Sequence, residues 1–254
     1  RKKVNLAPWK KITNSVLRNK DTVSIAIIGK YVELKDAYKS LDEALTHGGI
    51  ANNLKVNLIR IESDYLKPKQ IKKRLNDASG ILIPGGFGKR GTEGKIAAIN
   101  FARKNKVPFL GICFGMQMAI IEFARNKLNI KKAISSEFSK KGVPIVGLIS
   151  EWNKDGKIIK GTNKNLGGTM RLGLYEAKLK ENSLIKEIYK TKSVLERHRH
   201  RYEVNIDYKD KFEKNGMIFS GISPDHKLPE IIELENHPWF VGVQFHPEFK
   251  SRPL

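Results

Sequence analysis

Apolar positions along this chain recur in two alternating periods. Val23–Ile28 is a short, nearly continuous apolar run ending in Gly29, as in a strand covered on both faces. Asp36–Ala51 then carries Tyr38, Leu41, Ala44 and Leu45 at helical spacing. The sequence continues with a strand over Val56–Ile61 and a short helix over Pro68–Leu75, where Pro68 suits a first turn. A strand at Ile81–Ile83 is stopped by Pro84-Gly85-Gly86. Next come a helix over Thr92–Lys104 with Thr92 as its cap, a strand over Val107–Ile112 and a helix over Phe114–Asn126. From residue 143 the pattern is richer in strand: Val143–Ser150, Thr169–Lys178, Val194–Asn205, Met217–Ile222, Glu230–Leu234 and Phe240–Phe245.

Strand–helix alternation predicts an α/β fold, a central and mostly parallel sheet with helices on both faces. The later strands are expected to complete that sheet and add a small antiparallel layer. No apolar run approaches the roughly 20 residues of a membrane span. No apolar segment follows Arg1-Lys2-Lys3, so no secretory signal is expected. The 254 residues suit one large domain.

Charge changes the picture only locally. Lys plus Arg is 48 against 26 for Asp plus Glu, a net +22. The lysines are scattered without interleaved aromatics, the pattern of a solvated surface, so a nucleic-acid partner is not expected. Residues 1–20 differ: seven basic residues and no acidic one mark a basic linker or docking segment ahead of a domain spanning 21–254. The single cysteine excludes an internal disulfide and suits a reducing, cytoplasmic setting.

That cysteine is the first candidate for chemistry. A lone Cys is more often a small buried hydrophobe. Here Gly111-Ile112-Cys113-Phe114-Gly115 lies between a strand and a helix, the thiol counterpart of the Gly-x-Ser-x-Gly elbow. A sharp strand-to-helix turn strains the nucleophile's backbone and needs small neighbours two positions away. The helix N-terminus that follows favours a thiolate.

A thiolate that expels an amine needs a proton carrier. Of six histidines, His246 stands out in Gln244-Phe245-His246-Pro247-Glu248, after an apolar strand. Residues two apart in extended backbone share a side, so Glu248 can reach the His246 ring and fix its tautomer. Upstream, Gly86, Gly88 and Gly91 match a dinucleotide-binding loop, but no acidic residue follows at the ribose-binding spacing. No Gly-Lys-Ser/Thr occurs there either, so it is not a phosphate-binding P-loop. The better reading is an oxyanion hole made by the N–H groups of Gly86 and Phe114.

Together, Pro84-Gly85-Gly86-Phe87-Gly88, Gly111-Ile112-Cys113-Phe114-Gly115-Met116-Gln117 and His246-Pro247-Glu248 resemble the class I (triad-type) glutamine amidotransferases. Gly29-Lys30-Tyr31-Val32, Asp36-Ala37-Tyr38-Lys39-Ser40, Gly167-Gly168-Thr169-Met170-Arg171-Leu172-Gly173, the run Glu196–Asn205 and Asn236-His237-Pro238-Trp239-Phe240 narrow the resemblance to the CTP synthases, over about residues 20–252. It implies a flavodoxin-like fold and the C-terminal glutaminase domain of a longer chain. Cys113 would attack the glutamine amide and form a thioester, with His246 and Glu248 as partners. Gly86, Phe114, Gly115, Met116 and Gln117 would line the oxyanion and substrate site, and Glu137 and Arg201 would hold the amino-acid end. The ammonia would pass to an N-terminal amidoligase domain that aminates UTP to CTP, where ATP and magnesium are expected. It also implies GTP as an allosteric effector, with Phe87, Thr169 and Arg171 as candidate effector or lid residues, and a tetrameric parent. No cofactor or metal is expected in this domain. The run Arg197-His198-Arg199-His200-Arg201 is a weak zinc signal, with two His at i, i+2 and no other nearby ligand.

Overall fold

A computed structural model describes residues 4–18, 21–148, 151–154, 157–160 and 170–253. Five strands form its parallel half: β1 (Thr22–Gly29), β2 (Lys55–Glu62), β3 (Gly80–Ile83), β4 (Phe109–Ile112) and, from the far end of the chain, β14 (Phe240–Val243). Four more extend the sheet antiparallel: β9 (Arg171–Leu179), β10 (Ser193–His200), β12 (Met217–Ile222) and β13 (Pro229–Leu234). The nine strands run in the order β10-β9-β12-β13-β14-β4-β3-β1-β2. A separate three-stranded sheet joins β5 (Ala133–Ser135), β6 (Val143–Leu148) and β11 (Tyr202–Val204), and β7 (Glu151–Lys154) pairs with β8 (Lys157–Lys160). The expected fold class holds.

Because side chains alternate across a strand, the parallel strands feed two cores. Ile28, Ile81 and Ile83 pack on one face with α3 (Ile71–Leu75), α4 (Thr92–Asn105), α5 (Phe114–Asn126) and α7 (Lys209–Glu213). Ile27 and Leu82 pack on the other with α2 (Lys39–Ala51) and α6 (Leu184–Tyr189). Helix α5 is buried from Phe114 through Ala124, caught between the main sheet and the small one. The lone carboxylate on that stretch, Glu122, is matched bidentately by Arg103, at 2.8 Å from Nε and 2.7 Å from Nη2. That geometry is what a buried charge requires.

Local expectations are corrected in several places. The helix over Asp36–Ala51 opens as a 3-10 turn, Lys35–Tyr38, before α2 begins. Thr92 is not a cap: Gly91, at φ 70°, holds that position, and the Thr92 hydroxyl donates to the Lys89 carbonyl at 2.9 Å. The strand expected over Val194–Asn205 divides, with β10 in the main sheet and β11 in the small one. The division follows burial, because His198 and His200 face inward over the main sheet while Tyr202–Val204 must cover α5.

Residues 4–18 hold an element the periodicity did not suggest, α1 (Ala7–Arg18), with no buried residue. It touches the rest of the chain where Ser15 Oγ donates to the Ile50 carbonyl at 3.0 Å. Among the described residues, no helix is long and apolar enough to cross a membrane.

Candidate active site

Three adjacent parallel strands aim their carboxyl ends at one place. β4 lies in the middle, in register with β14 on one side (Val243 opposite Ile112) and β3 on the other (Ile83 opposite Gly111). The residues leaving those ends are Cys113, the segment Gln244–Glu248 and the glycine loop from Pro84. Ligands of open α/β sheets bind at this edge, where neighbouring loops diverge.

Cys113 joins β4 to α5 with φ 50° and ψ −98°, a left-handed backbone that costs a non-glycine residue about 1–3 kcal/mol. Its N–H is held by the Val243 carbonyl at 2.7 Å. The elbow can be this sharp because Gly115 has no side chain: a Cβ there would stand 2.2 Å from the Ile83 carbonyl oxygen. The thiol is 4% exposed, so it meets solvent only through the cleft.

His246 Nδ1 lies 2.8 Å from Glu248 Oε1, which leaves Nε2 for the thiol. The ring stacks on Phe249 at 4.9 Å. Gly85 abuts its Cε1 edge, where a Cβ would come within 2.6 Å of that carbon. Burial opposes charge on this imidazole, yet hydrogen bonding and charge interaction with Cys113 and Glu248 outweigh it and raise its pKa to about 10. His246 is therefore poised as an imidazolium beside the sulfur.

The glycine loop is held from beneath. The Lys30 ammonium, 8% exposed, donates to the Phe87 carbonyl and to the Gly88 carbonyl at 3.0 Å. Burial, with the nearby Arg90 charge, lowers the Lys30 pKa. The Gly88 N–H donates to Glu137 Oε1 at 2.5 Å. Burial raises the Glu137 pKa, against the Gly88 N–H and the Lys30 charge that favour its anion. Gly86 is exposed at the cleft, and a Cβ there would meet only Phe114 Cδ1 at 3.9 Å. This room separates two roles. Gly86→Ala keeps the N–H and should retain turnover close to normal. Gly86→Pro removes the N–H and, if that N–H serves as the oxyanion donor expected from sequence, should cost about 10²–10³ in kcat, as read by ammonia release on folded variants.

A cleft of about 650 Å³ joins these groups, lined by Cys113, His246, Glu248, Gly86, Gln117, Glu137 and Arg201 among others. A class-I glutamine amidotransferase family model matches residues 33–254. The chain belongs to this family. Curated relatives include CTP synthases of Pelagibacter ubique (strain HTCC1062), 76% identical over 254 residues, and of Rhizobium johnstonii, 56% identical over 253 residues. They match 100% and 99% of this chain, which spans 47% of the length of each. Among solved structures, the glutaminase domain of Trypanosoma brucei CTP synthase with bound acivicin superposes with a TM-score of 0.81 at 36% identity, covering 91% of this chain and 88% of that one. A glutamine amidotransferase of Thermotoga maritima shares the fold alone, with a TM-score of 0.51 at 14% identity and coverage of 89% and 76%.

Within this amidotransferase, most of the residues singled out from sequence converge on the cleft. Phe114, Gly115 and Met116 do not line it with side chains. Phe114 and Met116 are buried in the core, so their contribution to the site is confined to backbone N–H groups. Phe87 stands at the rim, 71% exposed. Thr169 lies outside the described residues. Arg171 is placed differently from the expectation of an effector contact: it is 3% exposed and tied to Glu203 at 2.9 Å and Glu230 at 2.7 Å. The reason is strand alternation, which turns Arg171 inward at the start of β9.

The same alternation resolves the Arg-His run. Arg197 and Arg199 face out, while His198 and His200 face in, 3.0 Å apart. Burial, then the Arg171 charge, lowers both imidazole pKa values, so both are neutral. Sequence reasoning missed Lys30 beneath the loop and Gln244 against the thiol. Both had been quoted in motifs without a role, because their partners lie 57 or more residues away along the chain.

Proposed function

We propose that this domain hydrolyses glutamine to glutamate and ammonia through a thioester on Cys113. The observation that carries the reading is the single cysteine on a strained elbow, beside His246, whose imidazole, against its burial, Cys113 and Glu248 together raise to a pKa of about 10. His246, which as an imidazolium already holds the proton of the Cys113 thiol, would give it to the departing ammonia and then, as a neutral imidazole, activate water against the thioester. Glu248 would fix the tautomer and support the imidazolium. The N–H groups of Gly86 and Phe114 would meet the oxyanion, and Gln117 the substrate amide. Glu137 and Arg201 suit the α-ammonium and α-carboxylate of glutamine by charge and by their common cleft.

The reading extends to the longer protein of which this chain would be the C-terminal domain. There the ammonia passes to an amidoligase domain that uses ATP and magnesium to aminate UTP to CTP, in a cytoplasmic homo-oligomer. The similarity to CTP synthases about twice as long supports this. Residues 1–20 would link the two parts. Trp9, Val16 and Leu17 of α1 are 53%, 56% and 77% exposed, which suits a segment that meets further chain. GTP remains the proposed effector, with Phe87 offering an aromatic face at the rim.

The test is labelling with a diazo-oxo-norleucine electrophile followed by mass spectrometry. One adduct on Cys113, prevented by excess glutamine, is the expected result. An adduct elsewhere, or one that glutamine does not prevent, would sink the proposal.

A further inference from the structure

The mechanism above leaves one buried polar group next to the nucleophile without a task. Gln244 follows β14, two residues before His246, so the two side chains leave the extended segment on the same side, toward Cys113. The Gln244 side chain is fully buried, and its Nε2 lies 3.6 Å from Cys113 Sγ, the range of an N–H donor to sulfur. A primary amide could present either its oxygen or its nitrogen, and here the surroundings decide. Gln117 Nε2 donates to Gln244 Oε1 at 3.2 Å and to the Tyr202 carbonyl at 2.8 Å. The carbonyl cannot donate, so the Gln117 nitrogen is fixed as the donor, the Gln244 oxygen as its acceptor, and the Gln244 nitrogen must face the sulfur. The Gln244 backbone N–H is held by the Glu230 carbonyl at 2.8 Å, so the whole residue is anchored.

We propose that Gln244 is a second hydrogen-bond donor to the nucleophile, fixing the position of the Cys113 sulfur from behind and stabilising its anion, with Gln117 and the Tyr202 carbonyl fixing the amide's orientation. The physical need is plain. A thiolate in a site 4% exposed has almost no water to solvate it. His246 satisfies one side of the sulfur, and the proton it carries leaves during turnover. The amide N–H does not titrate, so it supports the sulfur throughout the cycle. Gln117 then has two tasks, because the side chain expected to meet substrate also sets the amide behind the nucleophile.

The inference rests on Cys113 as the nucleophile. Failure of that reading appears as glutamine turnover persisting in Cys113→Ala. Failure of this inference appears as Gln244 variants that behave like an active parent.

Since Cys113 is the only cysteine, iodoacetamide alkylation of the folded chain reports on it alone. Gln244→Met keeps the shape and loses the donor. Gln244→Glu keeps the acceptor for Gln117 and loses the donor to sulfur. The other charged or titratable groups of the cleft, Tyr31, Asp36, Tyr38 and Lys39 before and within α2, Glu137 after β5, Arg199, His200, Arg201 and Tyr202 from the end of β10 into β11, and His246 and Glu248, are the same in parent and variants. In Gln244→Met the apparent pKa of alkylation should rise by about one unit, making alkylation about tenfold slower on the acid side. Gln244→Glu should shift it further, and in both kcat should fall more than KM changes. A pH profile superimposable on the parent's, in a variant with the parent's melting temperature, overturns the proposal. In the parent chain itself, the Gln244 side-chain amide resonance should move with the titration of Cys113. Its failure to do so overturns the proposal whether or not the variants fold.

Discussion

Cys113→Ala and Cys113→Ser should both fold and release ammonia from glutamine at least about 10⁴-fold more slowly than the parent, the scale on which hydrolases lose turnover with their nucleophile. Folding should survive because the change is small. Each variant keeps a Cβ on the same backbone and removes or replaces one atom at the cleft wall, so packing of the core is untouched. The elbow adds an internal check. At φ 50° any Cβ is strained, so Cys113→Gly should unfold at higher urea than Cys113→Ala, by about 1 kcal/mol. Serine is the more demanding test, because its hydroxyl is a far weaker nucleophile than a thiolate and His246 alone does not activate it comparably. Retention of more than a hundredth of parental turnover in Cys113→Ser would remove Cys113 from the chemistry.

What could be read from sequence depended on how far apart the partners lie. The elbow at Cys113 and the His246–Glu248 pair were legible because each is a local constraint: glycines two residues from a turn, and two side chains sharing one side of an extended segment. The parallel half of the sheet was legible for the same reason, since buried strands and amphipathic helices declare themselves within about ten residues. That β14 lies beside β4, and so delivers His246 to Cys113, is a matter of topology that no local pattern carries. Glu137 and Arg201 came from the resemblance alone. Neither motif nor period marks them, and they meet because the small sheet brings β5 and the end of β10 to one cleft.

Arg171 shows how a residue near a quoted motif can be misplaced. Its strand alternates outward Leu172, Leu174 and Glu176 with inward positions, and Arg171 falls on the inward set. There it meets Glu203 and Glu230, and burial raises the pKa of both carboxylates, so a guanidinium between them is an electrostatic necessity. The alternation was available from sequence. The two glutamates that make an inward arginine tolerable were not, because they come from β11 and β13.

Glu248→Gln should lower kcat by about 10²–10⁴ and move the alkaline limb of the pH–rate profile downward. Glutamine has nearly the same shape but carries no charge. It can also present its amide nitrogen to Nδ1, and the imidazole then adopts the wrong tautomer and turns a proton toward Cys113 at the wrong stage. The direction of the pH effect follows from the His246 pKa. In the parent, His246 is raised from about 6.5 to about 10, so the imidazolium that must protonate departing ammonia persists until the pH approaches 10. Removing the Glu248 charge removes part of that support, and the limb should fall at lower pH. Stability follows the same sign. A pKa raised on folding contributes stability that is fully present below about 6.5 and is lost as pH climbs through about 10. The parent's urea midpoint should therefore decline more between pH 7 and 10 than that of Glu248→Gln. A variant whose turnover falls while its alkaline limb and stability profile both match the parent's would show that Glu248 orients the ring without supporting its charge. A variant with unchanged turnover would show that His246 needs no third partner at all.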